Sequence, residues 1–479
     1  MRNIYVACVL VFLSFTGCKK DFIERTPQST VSVDILYKTD KDFQDAVIGC
    51  YTPLQAQYQV YWVFGDLRAD DSRHEVLANL SRVAVDVFTV NNDEILLRDT
   101  WRNYYQVISR ANELLMKIEP IDVVVVRNKE RHKAEAKFLR ALAYFDLVRI
   151  FGDVPMITTP LTVEESYKTG RQKVDQIYEE VIIKDLIAAE AALPASYSGI
   201  DVGRASKGAA KALLGKVYLT RKDFVKAEQK LKEVTTMGYA LLDNYKDLFD
   251  YSKNEHHKEY IFDIEYEEGI GEGTSITNAF LPQFTPIADI YGVKGTLGDN
   301  NAPPPHLFNL FEPGDVRRNI TVVQGGAFDR NGNFVKLPPQ SQQSFTLKYM
   351  TPVPSGGDSK ANWKVIRYAD VLLMYAEALN ENSKTAEART YLNMIRTRAK
   401  VGTYSNLSQA ETREKIYLER RLELSSEGQR WFDLVRTGRA LQVMQPYGMK
   451  PYMILFPIPL TQLQIINDRS IFPQNPGYE

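Results

Sequence analysis

The chain has 479 residues, with 59 Lys and Arg against 60 Asp and Glu, for a formal net charge of −1. That length fits one large domain or two to three ordinary ones. The balanced charge excludes a nucleic-acid binder, whose affinity rests on clustered positive charge. Past residue 17 no apolar run reaches the roughly 18 residues of a membrane-spanning helix.

The first residues read as a secretory leader. Arg2 supplies a positive start, Ile4 to Leu13 is apolar, and small or polar residues lead to Thr16-Gly17-Cys18. The stretch is too short to span a bilayer. Residues 1–17 are therefore predicted to be a signal peptide. Ending in Gly17-Cys18, the leader resembles a bacterial lipobox, which implies that Cys18 carries diacylglycerol and becomes the mature N-terminus. Residues 18–30, polar and holding Pro27, then read as a tether, and 31–479 as the body. Of the three cysteines, only Cys50 lies in that body, so it has no intramolecular disulfide partner. Its setting, Asp45 to Tyr51, predicts a small buried hydrophobe on a helix.

The body reads as helix after helix. Asp40–Tyr51, Thr100–Ile118, Glu130–Phe151 and Val174–Leu193 each carry apolar residues near the 3.6 period. Gly152 and Pro155 stop the third helix, and Pro194 stops the fourth. Leu214-Gly215, Tyr218, Ala227 and Leu231 then fall at tetratricopeptide spacing. In such a unit the glycine lets paired helices approach and the alanine faces it. A second unit fits Tyr375, Ala376, Leu379, Ala388 and Leu392, with a turn at Asn382-Ser383-Lys384. The two units lie too far apart in sequence for a tandem array.

The body divides into a helical part over 31–264, a loop-rich insertion over 265–362 and a helical part over 363–479. The insertion is rich in Gly, Pro and Phe, with strand-like pieces predicted at Ile320–Val323 and Phe345–Tyr349. Loops on a rigid scaffold are where binding residues gather.

No catalytic or metal motif emerges. His256 and His257 are adjacent and point different ways, and no zinc-ligand, Cys-x-x-Cys or phosphate-loop string occurs. No cofactor is expected. Asp70-Asp71 is the best carboxylate cluster. It reads as a helix cap or a partner for Arg68 and Arg73, as a site for sugar hydroxyls, or as a glycosidase pair. A glycosidase would alternatively draw on Glu265, Glu267 and Glu268. Aromatics suit a sugar face. Trp62, with Tyr61 beside it, is the tryptophan most free for a ligand, and Tyr291 and Phe328-Asp329-Arg330 in the insertion follow.

Several strings resemble the SusD/RagB family, in the expected order. They are Trp101–Ile108 with Ala111-Asn112, Ala134–Pro155, Arg367–Ala378, Glu419–Leu424 with Arg430–Arg436, and Leu455–Pro459 with Gln474–Tyr478. With Gly17-Cys18 they cover essentially the whole chain. The resemblance implies a mainly α, SusD-like fold of tetratricopeptide-like helix pairs with an irregular insertion. It implies attachment to the outer face of the outer membrane, a direction that Asp21 and Glu24 after the cysteine also favour. It implies a TonB-dependent SusC-like transporter as partner and no catalysis. The implied ligand is an oligosaccharide, or a peptide as in the RagB branch. A tetratricopeptide-type assembly scaffold with no small ligand is the remaining alternative. In these strings the Glu and Arg residues read as scaffold ion pairs, a dense group of them beside Trp431.

Overall fold

The computed structural model describes residues 37–74, 80–253, 255–283, 285–329, 333–336 and 344–478. The leader, the tether with Cys18, and Arg330 lie outside the described residues. Among the described residues no helix is long and apolar enough to cross a membrane.

Helix α1 (Asp40–Tyr58) opens on a capping box. Thr39 Oγ1 accepts from Asp42 N at 3.2 Å, and Asp42 Oδ2 accepts from Thr39 N at 2.8 Å. Phe43, Val47, Cys50, Leu54 and Tyr58, spaced three and four apart, form its buried stripe. Cys50 is buried as expected, and burial pushes its thiol up to about 12. Helices α2 (Ile95–Ile118) and α3 (Lys129–Phe151) pack beside it. From Ala134 onward α3 is buried on nearly every side, which makes it the axis of the N-terminal half. Gly152 ends it at φ +75, where a Cβ would meet Leu455 Cδ1 at 2.6 Å. The C-terminal motif caps this end: Asn475 Nδ2 donates to Phe151 O and Phe456 O at 2.9 and 2.7 Å.

The fourth predicted helix is broken. Val174–Ile177 runs into a π-helical turn, Tyr178–Ile182, and then into α4 (Ile183–Ala192). Next come α5 (Lys207–Thr220) and α6 (Phe224–Thr235), the first tetratricopeptide-like pair. Its glycine admits the partner helix as expected, but Leu231 and not Ala227 faces it: a Cβ on Gly215 would stand 2.5 Å from Leu231 Cδ2. The second pair is α7 (Tyr368–Glu381) and α8 (Thr385–Arg398), with Ser383 at φ 63 in the turn between them.

The two pairs, separated in sequence, adjoin in space. Each of α1 to α8 packs on the next, including α6 on α7. The helices thus form one continuous stack, and the chain leaves it after α6 and returns at α7. An antiparallel ladder marks the way out and back: β1 (Tyr260–Ile264) pairs with β4 (Trp363–Arg367). Helix α9 (Gln409–Leu424) lies on α7 and α8, and α10 (Arg430–Arg436) meets the π-turn Val63–Leu67.

Between the ladder strands the expected strand pieces are corrected. Arg318–Thr321 is a helical turn, and of the two predicted pieces only Val323 and Phe345 pair, as a single bridge. The strand structure is instead a short hairpin, β2 (Gly326–Phe328) with β3 (Phe334–Lys336). A second, smaller apolar cluster, with Ile287, Val293, Val323, Ala327, Phe345 and Val353, holds this segment together.

Candidate functional site

The structure corrects the tryptophan expectation. Trp62 stands at the head of the π-turn Val63–Leu67 and is 0% exposed. Its Nε1 donates to Gln59 O at 3.0 Å, Phe280 meets it edge-on at 5.5 Å, and the Arg82 guanidinium lies over its ring. Tyr61 is also in the core, stacked between Tyr58 and Phe432. Its hydroxyl accepts from Arg149 Nη2 at 2.9 Å and donates to Asp146 Oδ1 at 3.4 Å. Neither ring offers a face to a ligand.

Asp70 and Asp71 pair, but not with Arg68 and Arg73. Arg430 Nε donates to Asp70 Oδ1 at 2.8 Å, and Arg421 Nη2 to Asp70 Oδ2 at 2.7 Å and Asp71 Oδ1 at 2.5 Å. Arg68 instead donates to Val85 O and Met453 O. Burial works against the Asp70 charge, yet the Arg430 and Arg421 guanidiniums outweigh it and hold the carboxyl below its ordinary value. With His306, the two aspartates present atoms within 4.8 Å of one another. Two guanidiniums already meet that charge, which disfavours a cation there. The cluster ties the loop after α1 to α9 and α10, which leaves its oxygens little capacity for sugar hydroxyls. The other acidic group is likewise engaged: Glu265 accepts from Asn362 Nδ2 at 2.5 Å and lies 3.0 Å from His256 Nε2.

Tyr291 is placed differently. It ends a short helix (Thr285–Tyr291) and lines a cleft of about 690 Å³. Ile320, Leu347, Met350 and Pro352 line it with aliphatic surface. Phe249, Tyr251, Tyr291 and Phe328 supply the aromatic walls. Asn319, Ser252, Asp250, Lys246 and Lys360 bring polar groups to the rim, with Lys360 Nζ 3.8 Å from Glu268. Tyr291 Oη accepts from Phe328 N at 3.1 Å, which joins the helix to the hairpin, and burial pushes the phenol up to about 12. Tyr291, Phe328, Leu347 and Met350 all pack on the smaller apolar cluster, so the site stands on its own small core. A mostly apolar cleft with a few convergent polar groups is the usual form of a small-molecule site.

Sequence reasoning reached Tyr291 and Phe328 but missed Phe249 and Tyr251. The aromatic spacing of Tyr245, Phe249 and Tyr251, just ahead of the insertion, was the available signal. These side chains come from segments about a hundred residues apart, and nothing in the sequence says which rings face one another.

A family model described as the SusD family matches residues 344–476. Another, described as starch-binding and associating with the outer membrane, matches residues 21–219. A laminarin-binding SusD-like protein of known structure is 30% identical over 92% of this chain and 100% of its own, with a TM-score of 0.78. The chain belongs to the SusD/RagB family. A SusD-like protein of Formosa agariphila is 29% identical over 97% of both chains. Surface glycan-binding protein A of Bacteroides thetaiotaomicron, solved with laminarihexaose, shares the fold at 21% identity and a TM-score of 0.78.

The charged strings of the SusD/RagB resemblance are scaffold in this chain. Arg367 Nε donates to Glu427 Oε2 at 2.7 Å and its Nη1 to Glu423 Oε1 at 2.5 Å and Glu259 Oε1 at 3.0 Å. Arg317 and Arg398 also reach Glu423. Burial disfavours the Glu423 charge, but Arg398, Arg367 and Arg317 together keep its carboxyl far below the ordinary range. In the N-terminal half Arg140 grips Asp185 with two bonds, at 2.8 and 2.9 Å, and Arg204 grips Glu135 at 2.8 and 2.7 Å. Paired and hydrogen-bonded charges of this kind are costly to break.

Proposed function

We propose that the protein is a surface lipoprotein, anchored at Cys18, that captures oligosaccharides in the Tyr291 cleft. It passes them intact to a TonB-dependent transporter of the SusC type. The cleft carries this reading. Tyr291 and Phe328 offer partly exposed aromatic faces beside Asn319, Ser252 and Lys360. Sugar rings need that combination, an apolar face to stack and hydroxyls to bond. The similar laminarin-binding protein makes laminarin-type β-glucan oligosaccharides the first ligands to try.

The aliphatic lining of Ile320, Leu347 and Met350 favours a second reading, capture of a peptide through an apolar side chain. Calorimetric titration against laminarin and starch oligosaccharides and short peptides separates the two. Saturable glycan binding, lost in Tyr291→Ala and without product on chromatography, is the expected result. Peptide binding alone replaces the glycan reading, and product formation overturns capture without turnover. Co-purification of a barrel transporter from outer membranes tests the partner, and a tagged chain that emerges alone argues against it.

A further inference from the structure

One end of the helical stack carries apolar side chains that no other described residue covers. It is the end where the described chain begins, at residue 37. Asp40, the first residue of α1, accepts from Asn128 N at 2.9 Å and Asn128 Nδ2 at 2.8 Å. The start of α1 therefore lies against the turn joining α2 to α3. Asp122 builds that turn: its Oδ1 accepts from Val124 N at 2.7 Å, and its carbonyl accepts from Val125 N and Val126 N at 3.0 and 3.1 Å. Val126 is buried and pins the turn in place, whereas Val123, Val124 and Val125 are 57, 79 and 53% exposed.

A second apolar tip stands nearby. Ile200, in the short turn Gly199–Asp201, is 96% exposed. Asp201 connects this turn to both α1 and α3, through Gln44 Nε2 at 3.5 Å and Arg131 Nη1 at 3.8 Å. Isolated exposed hydrophobes are ordinary. Three consecutive valines on a hydrogen-bonded turn, with an isoleucine tip tied to the same helix ends, make a group rather than a scatter. The acids beside them are engaged: Glu119 and Glu130 pair with Lys133, Asp201 pairs with Arg131 and Arg204, and Asp122 bonds the turn itself. Arg127 is exposed and Lys129 gives its ammonium to Glu119 O and Ile121 O. Among the described residues neither has a carboxylate at ion-pair distance.

We propose that this end is a lipid-contacting face. Val123, Val124, Val125 and Ile200 enter the head-group boundary of the bilayer, and Arg127 and Lys129 meet anionic head groups. Exposed apolar tips beside basic residues are the composition that interfacial binding uses. The inference rests on the lipid-anchor reading of Cys18. That anchor makes the second contact intramolecular, so tips that bind weakly on their own suffice. The consequence is orientation: the body is held one way up instead of swinging on its tether.

The test uses the full lipidated chain carrying Val124→Cys or Ile200→Cys, each labelled with an environment-sensitive nitrobenzoxadiazole dye. Val225→Cys, an exposed position on α6, is the control. Cys50 is buried and escapes the label. The vesicles are phosphatidylethanolamine with phosphatidylglycerol. The expected result is a several-fold rise in emission with a blue shift at 124 and 200, reversed by spin-labelled lipid, and no change at 225. Chain that sediments with vesicles but shows no response at 124 and 200 overturns the lipid face and leaves the anchor standing. Chain that does not sediment removes the anchor, and the lipid face with it. A response seen only when a transporter is added also overturns the proposal, because it assigns the tips to protein.

Discussion

Gly65 and Gly428 meet backbone to backbone: a Cβ on Gly65 would stand 2.1 Å from Gly428 O. The contact brings the π-turn after α1 onto the loop between α9 and α10, joining residues 363 positions apart in the chain. Gly428 itself sits at φ +72, a conformation that favours glycine. Its N–H donates to both oxygens of Asp66 at 2.9 Å. Gly65→Ala forces two backbones apart, and overpacking of this kind costs about 1–3 kcal/mol or more. The expected outcome is a lower urea midpoint with an unchanged slope. A midpoint equal to that of the wild type would show that the junction gives way easily.

Asp66 makes stability depend on pH. Burial pushes its carboxyl up to about 8, against the pull of the Gly428 N–H and the Asn301 amide. An unfolded aspartate titrates near about 3.9. Between those values the folded chain holds a proton that the unfolded chain has released. Stability therefore falls as pH rises from about 4 to about 8, and this contribution levels off above that. Asp66→Asn keeps a neutral group of the same shape. Its urea midpoint is expected to decline less than the wild type's between pH 5 and pH 8, and parallel profiles refute the assignment.

Two aromatic substitutions separate site from core. Tyr291→Ala is expected to weaken ligand binding at least about tenfold, the loss of one good contact, with a smaller fall in melting temperature than Trp62→Ala. Trp62→Ala removes a fully buried indole and is expected to cost about 3–5 kcal/mol of stability. Thermal melts beside calorimetry give the comparison. Selective loss of binding in Trp62→Ala, at wild-type stability, would contradict the buried placement.

Arg367 neutralises three buried carboxylates, on Glu259, Glu423 and Glu427. Arg367→Met strands part of that negative charge, and breaking a buried pair from one side costs about 3–5 kcal/mol. Arg367→Lys recovers little, since one ammonium cannot reproduce a fork reaching several oxygens. Denaturant midpoints of both variants decide the matter, and a near wild-type lysine variant would show that charge alone suffices.

Much of this protein follows from sequence pattern alone. Helical spacing predicts α1, α2 and α3, because a core stripe must recur every three or four residues. The close approach of α5 and α6 at Gly215 follows from tetratricopeptide spacing, although Leu231 takes the place expected of Ala227, and Cys50 reads correctly as core. The ordered motif strings point to the SusD/RagB family by themselves. The site is another matter. Trp62 reads as free because Trp101, Trp363 and Trp431 fall in or beside the motif strings, and only tertiary packing puts Phe280 and Arg82 over it. Asp70 and Asp71 have arginines nearby in sequence, yet their partners are Arg421 and Arg430, some 350 residues on. The cleft gathers Phe249, Tyr291, Phe328 and Met350 from separate short segments. Local periodicity records which side of a helix is apolar, but a loop carries no period. Which loop rings face inward and which line a cleft is settled by long-range contacts that leave no local trace.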